Sequence, residues 1–383
     1  MNYKQWYKAH YEARLHGRYI TLEHLMPLLK LDHECIKISC AGYSVMKQEI
    51  PLVRIGKGQK VVLGWSQMHG NESTTTKAIF DFIKFVTQKD LFQIEISQFL
   101  ETYSFYILPI LNPDGAVLYT RANANKIDLN RDAQKLNESE SIALRTIFDR
   151  VKPDLCLNLH DQRSIYGLKN GRAATVSFLA PSANKDRTLT PSRLKAMEHI
   201  VRLDKMLQDM VPGQIGRYND SFNANCVGDT FQMAGVPTIL FEAGHSKQDY
   251  HREYTRLLIF HSFLELFKFT QTEENSEDFN SYFTIPENQL NFNDLILRNV
   301  AVKGYQDVVD IAIQYSEVLT NGSIQFNAVI DTIGNCDLKF GHSEMDLFGG
   351  SVLINSQENM AVGQNVWRLE KISSGSLINL LKK

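Results

Sequence analysis

The sequence predicts an α/β domain followed by a smaller β-rich domain, and three observations carry that reading. Short apolar runs such as Val61–Trp65 and Leu155–Leu159 alternate with helix-like stretches and end in reactive residues. Phe105–Leu111 is rich in Ile, Leu and aromatics and stops at Asn112-Pro113-Asp114-Gly115, which reads as a buried strand running into a turn. Beyond residue 283 the pattern changes to alternation, and Asn321-Gly322 between two alternating runs is a hairpin signal.

With 383 residues the chain has room for two domains and a large core. Hydrophobic content of 43% and charged content of 22% are ordinary for a globular protein. A net charge of −2 gives no reason to expect nucleic acid or an anionic membrane as partner. The five cysteines (35, 40, 156, 226 and 336) are odd in number and lack zinc-ribbon spacing, as expected of reduced thiols in a cytoplasmic protein. The opening MNYKQWYKAHYEARLHG is polar and has no apolar segment suited to export. No run approaches the roughly 18 apolar residues of a membrane helix.

Taken in order, residues 1–30 read as amphipathic helix used for packing. Strands are expected at Ile36–Cys40, Ile50–Ile55 and Val61–Trp65, the last apolar as a central strand would be. His69 and Glu72 then fall between a strand end and a helix expected over 75–87, with Gly70 permitting a tight backbone between them. A His nitrogen and a carboxylate oxygen three residues apart suit Zn²⁺, although a capping Glu beside a satisfied His gives the same pattern. After the strand at Phe105–Leu111 comes a loop with Arg121 and then Asp128-Leu129-Asn130-Arg131-Asp132, just past a strand end where α/β proteins place ligands.

A helix over 138–151 leads to Leu155–Leu159 and His160-Asp161; a lone His there would be read as structural, but it supplies a third ligand beside His69 and Glu72. A long polar loop is expected over 162–192, a helix over 191–210, and a polar loop over 213–229 containing Tyr218. The run Val236–Phe241 ends at Glu242, a carboxylate costly to desolvate unless paired or functional. A helix over 250–269 closes this part. The acidic stretch 271–282 reads as a linker between a domain over 1–270 and a β-rich domain over 283–383. His342, Glu344 and Asp346 in the latter are read as a solvated loop in preference to a second metal site.

The order His-x-x-Glu, Asn-Pro-Asp-Gly, Arg, Asp-x-Asn-Arg, His, Glu is far more specific than its parts. Over roughly residues 40–270 the chain resembles the zinc carboxypeptidase superfamily, the carboxypeptidase A-like enzymes. Asn112–Gly115, Thr120-Arg121, Asn123-Ala124 and Asp128–Arg131 look most like the bacterial murein-peptide amidases and cytosolic carboxypeptidases. The resemblance implies a mixed, mostly parallel sheet flanked by helices, with one zinc at its C-terminal edge. It makes His69, Glu72 and His160 the zinc ligands, a His₂Glu set that leaves a position for water. It makes Glu242 the general base and acid, Arg121 the group that polarises the scissile carbonyl, and Asn130 and Arg131 the clamp for the substrate's terminal carboxylate. Tyr218 matches the family's tyrosine on a mobile loop.

The implied activity is that of a zinc metallocarboxypeptidase acting on peptides with a free C-terminal carboxylate. The alternative is a zinc amidohydrolase deacylating N-acyl amino acids, of the succinylglutamate desuccinylase and aspartoacylase type, which shares the ligands, the Asp-Leu-Asn-Arg segment and a C-terminal β-domain. A catalytically silent binding module is the third reading, opposed by the presence of every expected reactive residue type. The resemblance does not extend to 283–383, and two roles are open to that domain: homo-oligomerisation or narrowing access to the cleft.

Overall fold

The computed structural model describes residues 2–270 and 278–380. They form two units: Met1–Gln162 with Thr175–Asn288, and Arg163–Ala174 with Gln289–Lys383. Residues 271–277 of the expected acidic linker lie outside the described residues. The part after it joins the first unit: the 3₁₀ turn Phe279–Thr284 buries Tyr282, whose hydroxyl accepts from the Ala180 N–H at 3.2 Å.

In the first unit the elements run α1 (Tyr3–His10), α2 (Leu22–Leu25), β1 (Ile36–Tyr43), β2 (Glu49–Ile55), β3 (Lys60–Ser66), α3 (Thr74–Thr87), α4 (Gln93–Thr102), β4 (Tyr103–Leu108), α5 (Pro113–Leu118), α6 (Ser139–Val151), β5 (Leu155–Asp161), β6 (Val176–Leu179), α7 (Pro191–Gln208), β7 (Ile215–Arg217), α8 (Val227–Met233), β8 (Thr238–Ala243) and α9 (Glu253–Leu266). One sheet orders the strands β1-β2-β4-β3-β5-β8-β6-β7. The central four, β4, β3, β5 and β8, are parallel. The β1–β2, β2–β4 and β8–β6 pairs are antiparallel, so the sheet is mixed.

Both faces are covered, which is why the central strands read as nearly continuous apolar runs. Successive residues of a strand point to opposite faces. Val62, Leu157, Leu159, Ile239 and Phe241 accordingly pack with α3, α7 and α9 in one core, while Leu63, Trp65 and Cys156 pack with α6 and α8 in the other. Helix α3 meets α9 through Phe82 and Phe263, with ring centroids 5.8 Å apart.

Some expectations need correction. Among the described residues of 1–30, helix is confined to α1 and α2; between them Gly17 sits at φ +75° and the chain is held by long-range bonds, including Arg256 to the carbonyls of Leu15 and Glu12 at 2.6 and 2.8 Å. Strand β4 stops at Leu108 because Pro109 has no N–H to donate. The expected loops over 162–192 and 213–229 contain β6, β7 and the first turn of α8. With three or four residues each, β6 and β7 are too short to show a period.

The second unit is built on a five-stranded sheet, β12 (Phe340–Asp346), β9 (Phe292–Val300), β10 (Val309–Thr320), β11 (Ser323–Gly334) and β14 (Asn365–Val366), in that spatial order. A small ladder joins β13 (Val352–Ile354) and β15 (Leu369–Lys371). Asn321 at φ +50° and Gly322 at φ +74° close the β10–β11 hairpin, the two left-handed residues a type I′ turn requires. Residues 163–174 join this unit by exchanging two backbone hydrogen bonds between Gly167 and Gln289, at 2.9 and 2.8 Å. A Cβ at Gly167 would lie 2.1 Å from the Phe292 ring, so only glycine fits.

Candidate metal centre and active site

His69, Glu72, His160 and Glu242 come from the C-terminal edge of the parallel strands. After β3 the chain turns sharply through Gln67, at φ +46°. Gly70 then lets the α5 backbone approach; a Cβ there would lie 2.0 Å from the Gly115 carbonyl carbon. Glu72 follows, and Ser73 is the N-cap of α3. His160 and Asp161 end β5, and Glu242 is the register partner of His160 on β8.

His69, Glu72 and His160 converge. His69 Nδ1 lies 2.9 Å from Glu72 Oε1, and His160 Nδ1 lies 2.8 Å from Glu72 Oε2. The two Nδ1 atoms are 3.1 Å apart. Two nitrogens on a tetrahedral zinc, each at about 2.05 Å, would stand roughly 3.3 Å apart, so the donor set fits such an ion. Among the described residues this is the only group of three or more His, Cys, Asp or Glu able to hold a metal.

Asp128 completes the arrangement on one side. Its Oδ1 is 3.0 Å from His69 Nε2, which leaves Nδ1 to face the cluster. His160 Nε2, by contrast, is buried without a hydrogen-bond partner. Asp128 is also a turn cap, accepting the Asn130 N–H at 2.9 Å, and its place in the Asp-Leu-Asn-Arg motif gives no sign of the imidazole contact.

The electrostatics follow from burial and these contacts. Burial opposes a charged His69, but Glu72 and Asp128 outweigh it and raise the ring's pKa. Burial dominates at His160 and lowers it. Glu72 pays for its burial through the two imidazoles, which hold it well below the usual carboxylate range. Glu242 goes the other way. Its Oε2 is sealed from solvent with no partner, and burial, with Glu72 and Asp161 nearby, pushes its pKa well above normal while Arg121 opposes.

Of the two arginines, Arg121 lies beside this cluster. Arg121, about half exposed, approaches Glu72 Oε1 at 3.5 Å through Nη1 and Asp128 Oδ2 at 3.1 Å through Nη2. Asn130 Oδ1 accepts from the Val227 N–H at 2.9 Å, fixing its loop to the start of α8. Arg131 is exposed; its Nη1 donates to Asn130 O at 2.7 Å and lies 3.1 Å from Cys226 Sγ. Tyr218 follows β7, with its backbone N–H donating to Phe178 O at 2.9 Å; that bond anchors it at the sheet edge.

One other sequence reading is settled here. Asp161 pairs with Arg18, at 2.8 Å, a partner that the polar N-terminal stretch gives no sign of. His342, Glu344 and Asp346 lie on strand β12 and not in a loop. His342 Nε2 is 2.7 Å from Ser164 O, Glu344 pairs with Arg298 at 3.0 Å and Asp346 accepts from Asn299 Nδ2 at 2.9 Å.

Comparison with known proteins gives the same picture. The family model for zinc carboxypeptidase matches residues 23–291. A curated relative, "Probable carboxypeptidase 2" of Trichophyton verrucosum, is 26% identical over 99 residues, which is 25% of this chain and only 18% of that protein. A metallo-carboxypeptidase from Burkholderia cenocepacia superposes with a TM-score of 0.52 at 14% identity, covering 64% of this chain and 68% of the other. A putative carboxypeptidase A from Shewanella denitrificans gives 0.51 at 17% identity, over 64% and 67% of the two chains. Those two likenesses speak to the fold. The family model spans well over half of the sequence, and on that ground the chain belongs to the zinc carboxypeptidase family.

Proposed function

We propose that this chain is a zinc-dependent metallocarboxypeptidase, hydrolysing the C-terminal peptide or amide bond of peptides that end in a free carboxylate. The observation that carries the reading is the meeting of two imidazole Nδ1 atoms and both oxygens of Glu72 on the strand edge that also presents Glu242. His69, Glu72 and His160 would hold the ion. Bound zinc supplies Lewis acidity and a water acidic enough to ionise near neutral pH.

The other roles follow from this chain's side chains. Glu242, with one oxygen unpartnered, takes a proton from the attacking water and returns it to the leaving amine. Arg121 offers a guanidinium beside Glu72 for charge developing on the scissile carbonyl oxygen. Arg131, exposed and held by no carboxylate among the described residues, has the planar fork that grips a terminal carboxylate, and Asn130 donates beside it. Tyr218 assists from the sheet edge. The five free cysteines suit a reducing compartment, so we place the protein in the cytoplasm, which cell fractionation would check.

The test is direct. Purified protein is analysed for zinc per chain and assayed side by side on peptides with free C-termini, on the same peptides amidated, and on N-acyl amino acids. About one zinc per chain and amino-acid release from free C-termini alone are expected. Turnover confined to N-acyl amino acids would make the protein a deacylase instead. A metal-free protein inert on all three would remove the enzymatic reading.

A further inference from the structure

A cation from outside the matched family region, Arg18, pairs with the residue next to His160. Asp161, next to His160 at the end of β5, is nearly sealed, with 2% of its side chain exposed. Its Oδ2 accepts from the Thr74 N–H at 3.1 Å, from Thr74 Oγ1 at 2.6 Å and from Arg18 Nη1 at 2.8 Å. Arg18, itself 5% exposed, also donates to Thr74 Oγ1 at 2.9 Å. On its backbone side, Asp161 N–H points at Glu72 Oε2, 3.2 Å away. One residue thus touches both the segment that carries Glu72 and the strand end that carries His160.

The segment around Arg18 is locked under the same turn. Ser73 Oγ donates to Arg18 O at 2.6 Å, and Gln67 Nε2 donates to Ile20 O at 2.9 Å. Residues 18–20 precede position 23, where the family match begins. Without Arg18 the buried Asp161 carboxylate keeps only the two Thr74 donors and is left as an uncompensated charge next to His160.

We infer that Arg18 is a positioning residue for the metal centre: by pairing with Asp161 and Thr74 it holds His160 and Glu72 in register with each other. The inference rests on the zinc reading proposed above. Removing a group that hydrogen-bonds a metal ligand typically weakens metal binding by about 10–100-fold, and Arg18 acts on the ligands through Asp161.

The experiment measures zinc affinity by competition with a chromophoric chelator on the full chain, alongside thermal unfolding, for Arg18→Met, Arg18→Lys and Tyr19→Phe. Tyr19 donates its hydroxyl to Val117 O at 2.9 Å, so its loss perturbs the same segment without touching Asp161. Arg18→Met is expected to bind zinc about 10–100-fold more weakly, Arg18→Lys to recover part of that, and Tyr19→Phe to match the parent. At saturating zinc, Arg18→Met should lower kcat and leave KM within about twofold, because Arg121, Asn130 and Arg131 are untouched. Should Arg18→Met not fold, Arg18→Lys and the parent decide, with a several-fold loss of affinity expected because lysine lacks the guanidinium fork. Arg18 variants that bind zinc as tightly as the parent overturn the inference and leave the proposed function standing. A parent that takes up no zinc overturns both.

Discussion

His160 and Glu242 are direct register partners on the parallel strands β5 and β8. Paired residues of neighbouring strands project to the same face, so the sheet itself sets the His160 imidazole and the unpartnered Glu242 carboxylate on one face. Their common face is set by strand register and not by a loop.

Glu242→Gln keeps the shape and removes the proton acceptor. Zinc content should remain at about one per chain, while kcat falls by about 10²–10⁴-fold, the usual contribution of a positioned acid–base group. Metal analysis and steady-state kinetics on one preparation check both halves. Parent-like turnover with zinc in place would take Glu242 out of the mechanism.

How much of this was legible in the sequence depends on the range of the forces involved. Strands β3, β5 and β8 were legible because burial on both faces leaves near-continuous apolar runs. His69, Glu72, His160 and Glu242 stood out because polar groups at the ends of such runs need a reason. The Asn321-Gly322 turn was legible because its conformation is chemically restricted. Arg18 was not, since its partner is 143 residues away and its neighbours are ordinary polar residues. Nor was the role of Asp128, which serves as a turn cap and an imidazole anchor at once. The attachment of 163–174 to the second unit rests on paired backbone bonds to Gln289, and these leave no mark on composition.

Arg131 decides chain-end selectivity in the proposed reaction. A hydrogen bond to a charged group contributes about 1.5–3 kcal/mol, and a bidentate grip adds geometry to it. Arg131→Ala should therefore lose roughly 10–100-fold in kcat/KM on peptides with a free C-terminus. On the amidated peptides its activity should match the parent's low rate. An equal loss on both substrate forms would show that Arg131 does not read the carboxylate.

Asp229 gives a pH prediction for stability. Burial near the start of α8 raises its carboxyl from 3.8 to about 7, although N–H groups of Asn223 and Ser182 oppose the shift. Between those two values the folded state holds a proton that the unfolded state has released. Folding is therefore penalised progressively as pH rises from about 4 to about 7, and the full penalty persists above that. Asp229→Asn removes the titration. The stability difference between variant and parent, from denaturant unfolding at several pH values, should favour the variant increasingly over that window and then level off. A difference that stays flat from pH 4 to 8 would refute the assignment.

The pair Arg256–Asp81 anchors the non-helical stretch between α1 and α2. Both side chains are fully buried, and the guanidinium bonds both carboxylate oxygens at 2.6 Å. The same guanidinium holds the carbonyls of Leu15 and Glu12, and the Glu12 N–H donates to Asp81 at 2.7 Å. Breaking one side of such a pair leaves an uncompensated buried charge, at a cost of about 3–5 kcal/mol. Arg256→Met should show that loss in denaturant unfolding. Arg256→Met with Asp81→Leu should regain a good part of it, because the stranded anion is gone. Recovery should stop short of the parent, since the carbonyls of Leu15 and Glu12 still lack their donor. A double variant no more stable than Arg256→Met alone would mean that those carbonyls, and not the ion pair, hold the segment in place.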